Sequence, residues 1–317
     1  MTRGRVIAAL VALLVASLAA GLSLGSAEDP TVAILVEIRL PRVLLGAFVG
    51  AGLATAGALL QALLQNPLAD PYILGISGGA ALGGVAALAL GWTLGLGGIS
   101  IPLLAFLGAL TATALLYAVA GSGRSVPAHT LLLTGVVFNA FAASLIVFLT
   151  TAVDLSRVAG IFLWLIGSIR FAEPSVLFGV ALLLAIGLAI GIHDAYALNL
   201  LSLGDESAAH LGVEVDRVRR RILLGTALMI GASVAVSGLI GFVGLIVPHL
   251  LRLVIGADHR VLVPASALLG AAFLVIADTL ARTLLSPTEL PVGALTALVG
   301  GPLFLYLLRR ELRSVGP

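Results

Sequence analysis

Between Tyr72 and Gly123 the chain runs for 52 residues without an Asp, Glu, Lys or Arg. Such a run leaves few structural choices. In a hydrocarbon core no water is available to the backbone, so each peptide group must find its partner inside its own segment, and a helix does this. A crossing takes roughly 20 residues. The run therefore holds two crossings, with a turn at "GWTLGLGGISIP" between them. The rest of the chain agrees. It has 317 residues, 60% hydrophobic and 10% charged, more apolar surface than a soluble fold of this size can bury. The fold class expected is all-α: one polytopic membrane domain over residues 1–317 with about ten transmembrane helices.

Composition also excludes chemistry. All 17 basic Lys+Arg residues are Arg. Without Lys there is no GxxxxGK[ST] phosphate loop and no Schiff base. Without Cys there is no disulfide, thiolate metal site or cysteine nucleophile. No HExxH or carboxylate pair on a common face is present, and the five His lack metal-ligand spacing. No catalytic residue, metal site or bound cofactor is expected. The net charge of +2 gives no reason to expect a nucleic-acid partner.

Apolar helices are read near 6–26, 43–65, 72–91, 99–120, 128–151, 174–192 and 219–240. Shorter or broken pieces follow near 243–255, 262–284 and 292–308. The first run is span-length, longer than a signal-peptide core, and is read as a retained span. With the N-terminus inside, twelve Arg fall on the cytoplasmic side, including Arg124 and the group from Arg217 to Arg221. Five fall outside: Arg39, Arg42, Arg157, Arg170 and Arg282. That is the bias expected of an inner or cytoplasmic membrane protein. "RVLLGAFVGAG" from Arg42 and "RILLGTALMIG" from Arg221 resemble each other and start from opposite faces, as in inverted repeats of transporters.

Four stretches carry polar detail. "LQNPLADPYILGISGGAALGG" (64–84) has two prolines that stop a helix and Asn66 and Asp70 suited to turns. It reads as a capped turn or as the mouth of a pore. "LNLLSLGDESAAHLGVEVDRVRRR" (198–221) reads as a short surface helix. Asp205 and Glu206 stand in its first turn, Gly212 is its C-terminal cap and Asp216 caps the helix that follows. In "GLIGFVGLIVPHLLRLVIGADHR" (238–260) Gly238, Gly241, Gly244 and Pro248 are expected to break a long helix. In "ADTLARTLLSPTELPVGALTALVGGPLF" (277–304) Asp278 and Arg282 suit an i,i+4 ion pair.

Together with "RLPRVLLGAFVGAGLATAGALLQALLQNPLADP", these stretches resemble the FecCD-type permeases, membrane subunits of ATP-binding-cassette importers for ferric siderophores, haem and cobalamin. The likeness runs in order from about Arg39 to Arg310. It implies a second permease subunit, in a homodimer or a close heterodimer with the homodimer favoured, and a pair of cytoplasmic ATPase subunits that carry the ATP and Mg. It also implies an extracytoplasmic substrate-binding protein and surrounding membrane lipid. Leu203, Gly204, Asp205, Glu206, Ala208, Leu211 and Gly212 match the family's coupling helices, which seat on the ATPase. Arg39, Arg42 and Arg282 match positions that dock the binding protein. Asn66 and Leu68 match a cytoplasmic gate, and Thr151 and Ala152 a second one, although the Arg-derived topology places 151–154 outside. The resemblance implies import of an iron chelate, ferric siderophore first, then haem or cobalamin, by alternating access. An ion-coupled secondary transporter working without an ATPase is the competing expectation, and it would need carboxylates in mid-span.

Overall fold

A computed structural model describes residues 3–25, 31–91, 97–120, 128–170 and 173–315. Residues 92–96 of the turn expected over 91–102, and Arg124, lie outside the described residues. All regular structure among the described residues is helical, in the order α1 (Arg3–Ser23), α2 (Leu40–Leu63), α3 (Ile76–Leu90), α4 (Ser100–Ala120), α5 (Ala128–Thr151), α6 (Leu155–Leu165), α7 (Pro174–His193), α8 (Ala195–Leu201), α9 (Asp205–His210), α10 (Val215–Ser237), α11 (Val243–Ile255), α12 (His259–Thr283) and α13 (Val292–Val315). A π-helical turn, Ile34–Arg39, leads into α2. Among the described residues, seven helical stretches are long and apolar enough to cross a membrane, and four shorter apolar helices accompany them.

Each of the ten apolar segments read from the sequence has a helix. The additional α6 carries Arg157, whose guanidinium donates to the carbonyl of Ala89 at the end of α3 at 2.8 Å. The short α8, with its buried Ala195, Leu198 and Leu201, is likewise a helix inside what reads as a polar loop.

α2 is the axis of the bundle, buried along most of its length and packed by α7, α10, α11 and α12. Its small residues permit this. A Cβ on Gly57 would lie 1.9 Å from the carbonyl oxygen of Gly244 in α11, and one on Gly50 would lie 2.2 Å from that of Gly270 in α12. Backbones that close leave no room for a side chain, the usual device of helix packing in lipid. α10, the second of the two similar segments, is also an inner helix and packs on α2.

The expected break in residues 238–260 is narrower than the sequence suggests. The chain turns at 238–242, where Gly238 has φ +66° and Phe242 φ +69°. Gly244 and Pro248 both lie within α11. Proline has no N–H to give the carbonyl four residues back. That carbonyl belongs to Gly244, and Gln61 of α2 donates its side-chain amide to it at 3.1 Å. A neighbouring helix thus supplies the missing bond, so Pro248 does not end α11.

Candidate functional site

The polar groups gather at the two ends of the bundle. At the cytoplasmic end, by the Arg-derived topology, α2 ends in a Schellman turn. The amide of Asn66 donates to Gln61 O at 3.1 Å and that of Gln65 to Ala62 O at 3.2 Å. The left-handed position of such a turn usually holds glycine; here it holds Gln65, at φ +49°. The Gln65 side chain explains the choice: its Nε2 donates to Leu201 O, the last carbonyl of α8, at 2.7 Å. Asn66 Oδ1 accepts from the Leu68 amide at 2.9 Å, and Leu68 itself is exposed. Asp70 accepts from the Tyr72 amide at 2.8 Å. Burial pushes the Asp70 carboxyl up to about 6, opposed by that hydrogen bond. Burial also raises the neighbouring Tyr72 phenol, with Asp70 adding to the shift.

Helices α8 and α9 form a folded projection beside this turn. α9 has Gly204, φ +104°, at its N-terminal cap position. It ends in a second Schellman turn, where Val213 and Gly212 donate to the carbonyls of Ala208 and Ala209 at 3.0 Å and Gly212 sits at φ +87°. Asp216 lies in the first turn of α10, with Glu214 at the cap position.

The projection is fastened on three sides. Arg221 of α10 donates through two nitrogens to buried Asp194. Asn199 donates to Asp258 at 2.8 Å and accepts from the amide of His259, at the start of α12. Hydrogen bonds from Arg260 and Asn199 hold Asp258 well below the usual carboxylate range. Asp205 accepts from Arg219 at 3.0 Å, and Arg219 is 1% exposed. Asp205 is therefore engaged within the chain. Glu206, Leu203 and Leu211 point outward, and Ala208 is buried beneath them.

At the other end, two arginines converge on the C-terminal carbonyls of α1. Arg39 donates to Leu22 O and Ser23 O at 2.9 and 3.1 Å, and Arg282 donates to Gly21 O at 3.1 Å. Cations at a helix C-terminus are favoured by its dipole. Asp278 lies between Arg42 and Arg282, 3.0 and 3.1 Å from them. The expected i,i+4 pair is thus present, joined by a third residue. Arg42 also reaches Glu289 at 3.0 Å. Arg39 and Arg282 are buried; Arg42 retains a 15% exposed side chain and Glu289 a 46% exposed one.

Thr151 and Ala152 stand apart from Asn66. They end α5, next to α6, whose Arg157 meets the far end of α3. Asn66 precedes the opposite end of α3, where Asn139 of α5 binds the carbonyls of Tyr72 and Ile73. The structure does not bring the two proposed gate pairs together. Sequence reasoning missed Gln61 and Gln65, whose partners lie 183 and 136 positions away, and Arg219, whose partner Asp205 lies 14 away across a turn.

The arrangement is that of a multi-pass helical membrane protein with a rigid projection keyed to its central helix. The family model of the FecCD transport family matches residues 6–310, and the chain belongs to that family. It is 45% identical over 294 residues to the hemin transport system permease protein HmuU of Yersinia pestis, covering 90% of this chain and 86% of that protein. It is also 45% identical over 284 residues to the cobalamin import system permease protein BtuC of Halobacterium salinarum, covering 89% and 75%. A solved metal-chelate type ABC transporter in an inward-facing conformation superposes with a TM-score of 0.87 at 32% identity, covering 97% of this chain and 99% of that one.

Proposed function

We propose that this chain is the permease subunit of an ATP-binding-cassette importer in the cytoplasmic membrane, working as a homodimer with a pair of ATPase subunits and an outer binding protein. Its cargo is an iron chelate of the ferric siderophore class, with haem and cobalamin as the competing cargos. The observation that carries the reading is the bond from Gln65 to Leu201, which ties the α8–α9 projection to the turn at Asn66. Closure of the ATPase moves the projection, and Gln65 passes that movement to the end of α2 and to the gate formed by Asn66 and Leu68. Thr151 and Ala152 form a second constriction at a different depth. Leu203, Glu206 and Leu211 meet the ATPase, while Gly204, Asp205, Ala208 and Gly212 shape the helix that presents them. Arg42 meets the binding protein, and Arg39 and Arg282 hold it in place.

The relatives support the class of cargo and not its identity, since the two named above share one level of identity and carry different cargos. Family membership leaves the ion-coupled alternative with nothing in its favour. The test is uptake into proteoliposomes holding this chain with its ATPase and binding protein. Labelled ferric siderophore, haem and cobalamin are offered in turn, with and without internal ATP. ATP-dependent accumulation of the siderophore is expected. Accumulation of haem or cobalamin instead reassigns the cargo, and accumulation driven by an ion gradient without ATP overturns the importer.

A further inference from the structure

Helices α4 and α7 each pack against α10, and a groove of 270 Å³ lies between them, walled by Leu103, Phe106, Val180 and Leu183. Its flanks are apolar too: Leu107 and Leu115 of α4 and Phe178 and Leu182 of α7 are exposed. A groove with such flanks opens onto hydrocarbon, not water. At one end it runs into a second space of 310 Å³, which shares Ile99, Pro102 and Val176 with it and adds Trp164, Arg170 and Glu173. By the Arg-derived topology this is the outer end, where indole and guanidinium groups belong at the level of lipid headgroups.

The charges at the mouth are not spent on each other. Arg170 donates to Ser168 Oγ at 3.1 Å. Neither Arg170 nor Glu173 forms an ion pair among the described residues. The segment that carries Arg170 is fixed to the end of α10, since the Ser168 amide donates to Ser237 O at 2.8 Å. A fixed cation and a nearby anion at the mouth of an acyl-sized groove match a headgroup bearing both charges. We propose that this groove binds one phospholipid with a zwitterionic amine headgroup, its acyl chain between α4 and α7, its phosphate on Arg170 and its ammonium on Glu173. An anionic lipid such as phosphatidylglycerol would satisfy Arg170 and set its charge against Glu173.

The test is native mass spectrometry of the full chain after exchange into equimolar phosphatidylethanolamine and phosphatidylglycerol. The intact chain should retain one phosphatidylethanolamine in preference to phosphatidylglycerol by about threefold, the worth of the one charge contact, ammonium to Glu173, that the two lipids do not share. The double variant Arg170→Gln, Glu173→Gln should lose that preference. Gly179→Leu tests the acyl half. A Cβ at Gly179 meets no atom within 4 Å, and Gly179 lines the groove, so the leucine side chain extends into the groove, and leucine suits a helix better than glycine. This variant should keep its melting temperature in detergent and lose about tenfold in retention of the lipid. Equal retention of both lipids by the intact chain, or retention unchanged by Gly179→Leu, overturns the site. A disulfide between two copies through a cysteine placed at Leu183 also overturns it, by giving the groove to a second chain.

Discussion

Gln65 holds a backbone conformation that glycine adopts without strain, and it does so to bring its amide to Leu201 O. Gln65→Gly relieves that strain and loses one hydrogen bond, two effects of about 1 kcal/mol that oppose each other. Stability should therefore stay nearly constant while ATP-driven uptake falls severalfold and ATP hydrolysis continues. Assaying both rates in one set of proteoliposomes checks this, and undiminished uptake removes Gln65 from the coupling path. Asp70, five residues on, makes the turn sensitive to pH. Its carboxyl is raised from 3.8 to about 6 by burial. Below about pH 4 the group is neutral folded or unfolded and adds no pH dependence. Between about 4 and 6 only the folded chain keeps the proton, so stability falls as pH rises, and above 6 the whole penalty is present. Two units correspond to about 3 kcal/mol. The side chain keeps some solvent contact, so about 1–2 kcal/mol is expected. Asp70→Asn preserves the acceptor for the Tyr72 amide and should melt higher than the parent at pH 8 and alike at pH 4.

Helix α9 separates presentation from contact. Asp205 answers Arg219, which is almost wholly buried, while Asp205 itself is 44% exposed, so Asp205→Asn, which keeps one acceptor oxygen, should destabilise the projection by about 1 kcal/mol. Leu203 and Leu211 are more than half exposed and support nothing within the chain. Changing both to Asp should leave the melting temperature unchanged and abolish co-purification of the ATPase; retained co-purification would move the docking surface elsewhere. The sequence makes some of this legible. The spans are readable because twenty apolar residues have one stable form in lipid, and the Arg bias orients them. The neighbours of each span are not readable, because a helix that is apolar all round carries no face preference. α6 and α8 escape because eleven and seven residues are too short for the length signal. Pro248 misleads because the group that makes it tolerable, Gln61, lies 187 positions earlier in the sequence. The role of Asp205 was half visible: its place in a first turn was readable, its engagement with Arg219 was not.

α2 connects the two polar ends of the molecule, from Arg42 to the turn at Gln65, a helical distance of about 35 Å at 1.5 Å per residue. It is buried along most of its length and packs against α7, α10, α11 and α12, so a displacement at one end is carried as a rigid shift. At the outer end the arginines join three helices, α1, α2 and α12, through Asp278 and the carbonyls at the end of α1. The part of this cluster that a partner can reach is the Arg42–Glu289 pair. Glu289 occupies the guanidinium nitrogen that faces outward, so an acidic group on a binding protein has to compete with it. If Arg42 is the docking residue, Glu289→Gln should tighten binding of that protein by about three- to tenfold at low salt, the worth of one partly exposed ion pair. The gain should shrink as salt is added. Arg42→Ala should weaken binding and, by leaving Asp278 with one cation, also lower the melting temperature; Glu289→Gln should not. Measuring affinity and melting temperature for both variants separates docking from support. Weaker binding in Glu289→Gln would mean that the carboxylate itself meets the partner, and the sign of charge at the outer docking surface would then be reversed.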